Sequence, residues 1–190
     1  PEEEEYERAF HHQVFQLRTK HLRTVGFMNS FLQSGYEADD LIAAATKRAD
    51  RETIIVTADQ DLFQCISPLV SVFNPHKKKR TRHADFVKEY EIEPPQWAMV
   101  KAIAGCSSDN VKGVVGVGEK TALKYVRGKL NKTSKAHEKI QLALDNVVRR
   151  NRMLVILPFA GARTPRIRPN ELTQGGWNHV TKKLGMRSLR

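Results

Sequence analysis

Thr53-Ile54-Ile55-Val56-Thr57 is almost wholly β-branched, and two aspartates, Asp59 and Asp61, follow it at once. Side chains branched at Cβ suit a pleated sheet better than a helix. The run is therefore read as a buried strand in a parallel sheet, with the acids at its carboxyl end. Leu69 to Phe73 is a second strand candidate, and His76 to Arg82 a basic loop or hairpin. Helical patterns surround them. One runs from about Glu3 to Leu32 and stops at Ser34-Gly35, and another runs from about Glu37 to Arg48, with Ala38, Leu41, Ile42 and Ala45 on one face. A short helix is expected from Asp59 to Cys65. Another opens at Pro94-Pro95, with Trp97, Val100 and Ile103 as its core side. Further helices are expected at Glu119 to Arg127, Lys135 to Arg150 and Trp177 to Leu184, with an irregular stretch from Pro158 to Pro169. Strands mixed with helices in this order give an α/β fold.

The charge is uneven. The 190 residues carry 32 Lys and Arg against 21 Asp and Glu, a formal net charge of +11. Such an excess points to a polyanionic partner, nucleic acid ahead of membrane. Two cysteines, Cys65 and Cys106, make no disulfide framework, so a reduced, cytoplasmic setting is expected. No apolar run reaches the length of a membrane span, and no membrane partner is expected. The chain opens on Pro-Glu-Glu-Glu-Glu without methionine, and an incomplete or processed chain is expected.

Against this basic background the acids cluster. Glu37, Asp39 and Asp40 open one predicted helix, Asp59 and Asp61 follow a strand, and Asp109 precedes the glycine loop. Each taken alone suits a helix N-terminus, where an acid contributes about 0.3–1 kcal/mol. Taken together they repel one another unless a cation sits among them, and ligands gather at the carboxyl ends of strands in open α/β sheets. Oxygen ligands favour Mg²⁺ or Mn²⁺. Two such ions about 4 Å apart activate a water and stabilise the leaving oxygen of a phosphodiester. The candidate catalytic and metal residues are thus Glu37, Asp39, Asp40, Asp59, Asp61 and Asp109.

Gly113-x-x-Gly116-x-Gly118 has the spacing of neither a dinucleotide fingerprint nor a P-loop. It fits a hairpin between two helices, either a plain turn or a loop that aims backbone N–H groups at a phosphate, with Lys120 and Thr121 behind it. Lys77, Lys78, Lys79 and Arg80 form either a solvated loop or further backbone contacts.

The order of these motifs resembles the 5′-nuclease superfamily: flap endonucleases, phage 5′-3′ exonucleases and the 5′-nuclease domain of bacterial DNA polymerase I. Tyr36-Glu37-Ala38-Asp39-Asp40 looks like the family's V-E-A-D-D, and Thr57 to Leu62 like its T-x-D-x-D-L. Gly105-Cys106-Ser107-Ser108-Asp109-Asn110 looks like its G-D-S-S-D-N, and Gly113 to Ala122 like its helix–hairpin–helix. The resemblance implies a PIN-like, mostly parallel sheet flanked by helices over residues 1–92. Residues 93–190 would form a helical DNA-binding lobe carrying the hairpin. It also implies Mg²⁺- or Mn²⁺-dependent 5′-3′ exonuclease or flap-endonuclease action, with Glu37, Asp39 and Asp40 serving a first ion and Asp59, Asp61 and Asp109 a second. The substrate would be DNA with a 5′ end, flap or fork, the hairpin would hold K⁺, and the source would be bacterial or phage. Cys106 stands where the family has Asp. The family's first strand, with its early Asp, has no counterpart, so a missing N-terminal segment or a partner chain is expected to supply it and leave a sheet edge unpaired. The alternative is a catalytically silent DNA-binding module of the same fold.

Overall fold

A computed structural model describes residues 2–106 and 109–189. Helix α1 (Glu2–Gln16) runs through a π-helical turn, Leu17–His21, into α2 (Leu22–Val25). The helix ends at Gly26, earlier than the expected Leu32, because Gly26 takes φ 106° and donates its N–H back to the Leu22 and Arg23 carbonyls. A side chain there would be strained in backbone and would meet the Glu171 carbonyl, so glycine is required.

Helix α3 (Ala38–Thr46) leads to β1 (Thr53–Val56), a 3₁₀ turn (Asp61–Cys65), β2 (Val70–Asn74) and β3 (Lys79–Thr81). Helix α4 (His83–Tyr90) follows, then a 3₁₀ turn over Pro94–Gln96 into α5 (Trp97–Ala104). The two-residue strands β4 (Gly105–Cys106) and β5 (Val111–Lys112) precede α6 (Glu119–Val126). Helix α7 (Lys135–Ala143) passes through a π turn, Leu144–Val148, into α8 (Arg149–Val155), and α9 (Gln174–Lys183) comes last.

The chain forms two compact units. One comprises residues 1–32 and 165–190, the other residues 33–164. In the first, the Gly26 carbonyl accepts from Glu171 N–H and the Val25 carbonyl from Thr173 N–H, so the segment leading into α9 lies along the end of α2. The domain boundary expected at 92/93 falls inside the second unit. There Leu62 and Phe63 from the 3₁₀ turn share one core with Trp97, Val100 and Ile103 of α5. Phe63, Phe86, Tyr90 and Trp97 form the aromatic centre of that core, with ring centroids 4.8–5.9 Å apart. Such pairs contribute about 0.5–1.5 kcal/mol each beyond their buried area.

The architecture is α/β, and its main sheet is mixed. β1 pairs parallel with β2 in the register Thr53↔Val70 to Val56↔Phe73, and β2 pairs antiparallel with β3. The β2–β3 connection is too short for a crossover, so it is a hairpin. Asn74 Oδ1 accepts the N–H groups of His76 and Lys77 and closes the turn. β1 was expected to be buried on both faces. Ile55 is, but Ile54 and Val56 are exposed, because β1 is the sheet edge and nothing among the described residues covers that face. No helix among the described residues is long and apolar enough to cross a membrane.

Candidate active site

Glu37, Asp39, Asp40, Asp59, Asp61 and Asp109 all line one hollow of about 400 Å³ within the unit of residues 33–164. Three sequence segments bring them there. The first turn of α3 carries Glu37, Asp39 and Asp40. The turn after β1 carries Asp59 and Asp61, where the chain reverses out of the sheet. The segment between β4 and β5 carries Asp109. Val111, Leu154, Val155, Leu157 and Phe159 supply an apolar rim.

The acids do not have equal freedom. Asp40 is buried, and both of its oxygens are used locally. Oδ2 accepts from Glu37 N–H at 3.3 Å and so caps α3, while Oδ1 accepts from Phe159 N–H at 2.6 Å. Asp59 Oδ1 accepts from Asp61 N–H at 2.8 Å, and Asp59 N–H donates to Thr57 Oγ1 at 3.0 Å. This short net fixes the turn that follows β1. Asp39 is half-buried. Burial, followed by the charges of Asp59, Glu37, Asp61 and Asp40, raises its pKa to about 6. Burial also raises Asp61, against the opposing pull of Lys101.

Lys101 was not among the expected site residues. It projects from α5, otherwise apolar, and its Nζ sits 3.2 Å from Asp61 Oδ1 and 3.7 Å from Glu119 Oε2. The contact with Oδ1 is an ion pair outside hydrogen-bond geometry. Burial opposes the charge of Lys101, but Asp61 and Glu119 outweigh it and hold the ammonium above its usual range. A lone cation in the run Trp97-Ala98-Met99-Val100-Lys101-Ala102-Ile103 was the available signal. Cys106 is buried, with its Sγ 3.9 Å from Asp61 Oδ2. One ligand atom each from Asp61, Cys106 and Asp109 lie within 4.8 Å of one another. Ser107 and Ser108, quoted in the motif, lie outside the described residues.

The glycine loop follows β5. Gly113 packs where a Cβ would fall 2.2 Å from the Ala104 carbonyl oxygen, so this glycine has a packing reason of its own. Val114 N–H donates to the Ile103 carbonyl at 2.8 Å and ties the loop to the end of α5. Gly116 takes φ 78°, and Gly118 is the N-cap of α6. Lys120 is exposed and Thr121 half-buried in the first turn of α6. In the β2–β3 hairpin, Lys77 and Lys78 are exposed. Lys79 pairs with Glu89 at 2.8 Å, and Arg80 pairs with Glu52 at 2.5 Å and donates to Ser71 Oγ. The net positive charge of that hairpin is thereby reduced.

The family described as "5′-3′ exonuclease, N-terminal resolvase-like domain" matches residues 4–91. The thermostable DNA polymerase I of Thermus thermophilus is 42% identical over 96 residues, which is 49% of this chain and 11% of the relative. DNA polymerase I of Mycobacterium leprae is 39% identical over 103 residues, which is 50% of this chain and 11% of the relative. The chain thus spans about a tenth of the length of the curated relatives it matches. Among solved structures, the T5 D15 protein co-crystallised with metal ions superposes with a TM-score of 0.67 at 24% identity, over 81% of this chain and 64% of that one. The bacteriophage T5 D15 flap endonuclease in a pseudo-enzyme-product complex with DNA and metal ions gives 0.64 at 22% identity, over 83% and 65%. These two likenesses show the shared fold.

Proposed function

The chain belongs to the 5′-nuclease superfamily, and on that premise we propose that its acidic hollow is a divalent-metal-dependent 5′-3′ exonuclease or flap-endonuclease site acting on DNA. The observation that carries this reading is the convergence of six carboxylates, from segments up to 72 positions apart (109 − 37), on one hollow of a strongly basic chain.

The donor set fits divalent cations. Five of the carboxylates have oxygen to spare, and the raised Asp39 marks a place where negative charge is crowded and desolvated without compensation. Glu37, Asp39 and Asp59 would hold one Mg²⁺ or Mn²⁺ ion, and Asp61 and Asp109 a second. Ions bound there would activate a water and polarise the scissile phosphodiester. Asp40 acts on position, because its two oxygens hold Glu37 and the Phe159 backbone to the rim of the hollow. Lys101 holds Asp61 by one oxygen and leaves the other facing Cys106. In this reading, residues from Trp97 to Val126 act as a helix–hairpin–helix element in a C-terminal helical lobe. Gly113, Gly116, Gly118, Lys120 and Thr121 grip the backbone of duplex DNA, and K⁺ is held at the hairpin. Lys77 and Lys78 add backbone contacts, joined by Lys79 and Arg80 when these leave their acidic partners. Contacts of this kind hold phosphates without reading bases.

A second reading is a silent DNA-binding module of the same fold. It is favoured by the Lys101 ammonium on Asp61 and by a thiol at Cys106. A 5′-labelled flap substrate separates the two. The nuclease reading expects cutting with Mg²⁺, none with EDTA, and loss by about 10²-fold or more in Asp59→Asn. Salt-sensitive binding without cutting would support the silent module and overturn the nuclease.

A further inference from the structure

Resting on the metal-site reading above, we infer that the position formed by Asp61, Cys106 and Asp109 is a mixed oxygen–sulfur site that takes a thiophilic divalent ion, such as zinc, cobalt or cadmium, in preference to Mg²⁺. The three ligand atoms lie within 4.8 Å of one another, near enough to close on one ion whose bonds to oxygen and sulfur are about 2.0–2.3 Å. Asp61 is 9% exposed and Cys106 8%, so two of the three donors are withdrawn from bulk water. Asp61 divides its oxygens. Oδ1 meets Lys101 Nζ at 3.2 Å without a hydrogen bond, while Oδ2 faces the Cys106 sulfur at 3.9 Å.

The preference follows from the donors. Mg²⁺ demands oxygen ligands in near-ideal octahedral geometry and gives up its water reluctantly, and a sulfur ligand offers it little. Thiolates select softer ions, and three protein ligands is the count of zinc sites that keep one position open. On binding, Cys106 loses its thiol proton to solvent and the sulfur–metal bond forms in its place, with no change of oxidation state. Glu37, Asp39 and Asp59 offer oxygen alone. The two halves of the hollow therefore differ in the ions they favour, a hard ion on the α3 side and a soft one beside Cys106.

The test uses the full chain carrying Cys65→Ser, which leaves Cys106 as its one thiol. Cys65 is a poor competitor in any case, since burial pushes its thiol up to about 11. Titration with Co²⁺ or Cd²⁺ is followed by the sulfur-to-metal charge-transfer band in the ultraviolet, and Mn²⁺ binding by calorimetry. The expected result is a band that saturates at about one equivalent. Adding Cys106→Ser removes the band and weakens Cd²⁺ binding roughly tenfold or more, with Mn²⁺ affinity changed less than about threefold. Cys106→Asp removes the band and strengthens Mg²⁺ binding. If Co²⁺ and Cd²⁺ bind without a thiolate band, the inference falls and the carboxylate metal site stands. If no divalent ion binds at all, both fall. The band is read on protein that retains Cys106, so the test holds even where a Cys106 variant does not fold.

Discussion

Asn151→Leu is expected to cost about 3 kcal/mol, although Asn151 is not a candidate ligand. Asn151 sits fully buried on α8, and its Nδ2 donates to the Ala102 carbonyl at 3.0 Å and to the Lys112 carbonyl at 2.9 Å. One side-chain amide thus joins the last turn of α5 to the strand that enters the glycine loop. Leucine matches its branching, with bulkier methyl groups, but offers no N–H. The Ala102 carbonyl lies among the last acceptors of α5, which have no helical donor, and leaving it bare in the core costs about 1–3 kcal/mol. Lys112 is exposed, so its carbonyl recovers water, and there the loss is nearer 1 kcal/mol. A total of about 3 kcal/mol corresponds to a fall in Tm of about 6–12 °C for a chain of this size. Thermal unfolding followed by circular dichroism reads it. Asn151→Asp should fall as well, because one carboxylate oxygen would face the two carbonyl oxygens while the other keeps the Arg150 guanidinium. A fall of less than about 2 °C for Leu would show that the two donors do not hold this junction.

The glycine loop gives an ordering. Gly113→Ala should destabilise by about 2 kcal/mol or more in urea unfolding, because its Cβ would fall 2.2 Å from a backbone oxygen. Gly118→Ala, with nothing within 4 Å, should stay within about 1 kcal/mol, the worth of an N-cap; equal effects would refute the packing role of Gly113. A pH series in EDTA tests the crowding of the acids. With its pKa raised from 3.8 to about 6, Asp39 binds more protons in the folded state than in the unfolded state. Its contribution is stabilising below about pH 4 and is lost as pH rises through about 6. Relative to Asp39→Asn, the wild type should lose stability across that window, and a parallel pair of curves would contradict the crowding.

Local chemistry was the legible part of the sequence. The strand expected at Thr53 to Thr57 is found at Thr53–Val56, and the next, expected at Leu69 to Phe73, at Val70–Asn74. The first is a β-branched run, and the second joins two valines to a phenylalanine, residues that favour a pleated surface. The basic segment expected at His76 to Arg82 as a loop or hairpin lies in the β2–β3 hairpin, whose turn Asn74 closes. Helix ends were less legible. Gly26 ends the first helix within an otherwise continuous helical pattern, and the expected helix from Asp59 to Cys65 is a 3₁₀ turn, drawn tight by the Asp59–Asp61 contact. Burial of β1 could not be read, because it depends on what lies beyond the sheet edge. Lys101 and Asn151 were not legible for a related reason. Lys101 is the single charged residue of an apolar helix, whereas Asn151 stands among the arginines of α8; the partners of Asn151 lie 39 to 49 positions away, and Asp61 lies 40 positions from Lys101 (101 − 61). The six acids could be assembled only because their motifs occur in a known order. Nothing in their spacing alone brings residue 37 beside residue 109.

Direct counting of bound Mn²⁺ by electron paramagnetic resonance, on the wild type and on Asp59→Asn, tests the site at its root. Saturable Mn²⁺ binding to the metal-free wild type is expected, displaced by Mg²⁺ and weakened roughly tenfold or more in the variant. A chain that binds no Mn²⁺, or binds it equally well without the Asp59 carboxylate, would contradict the claim that the hollow is built to hold cations.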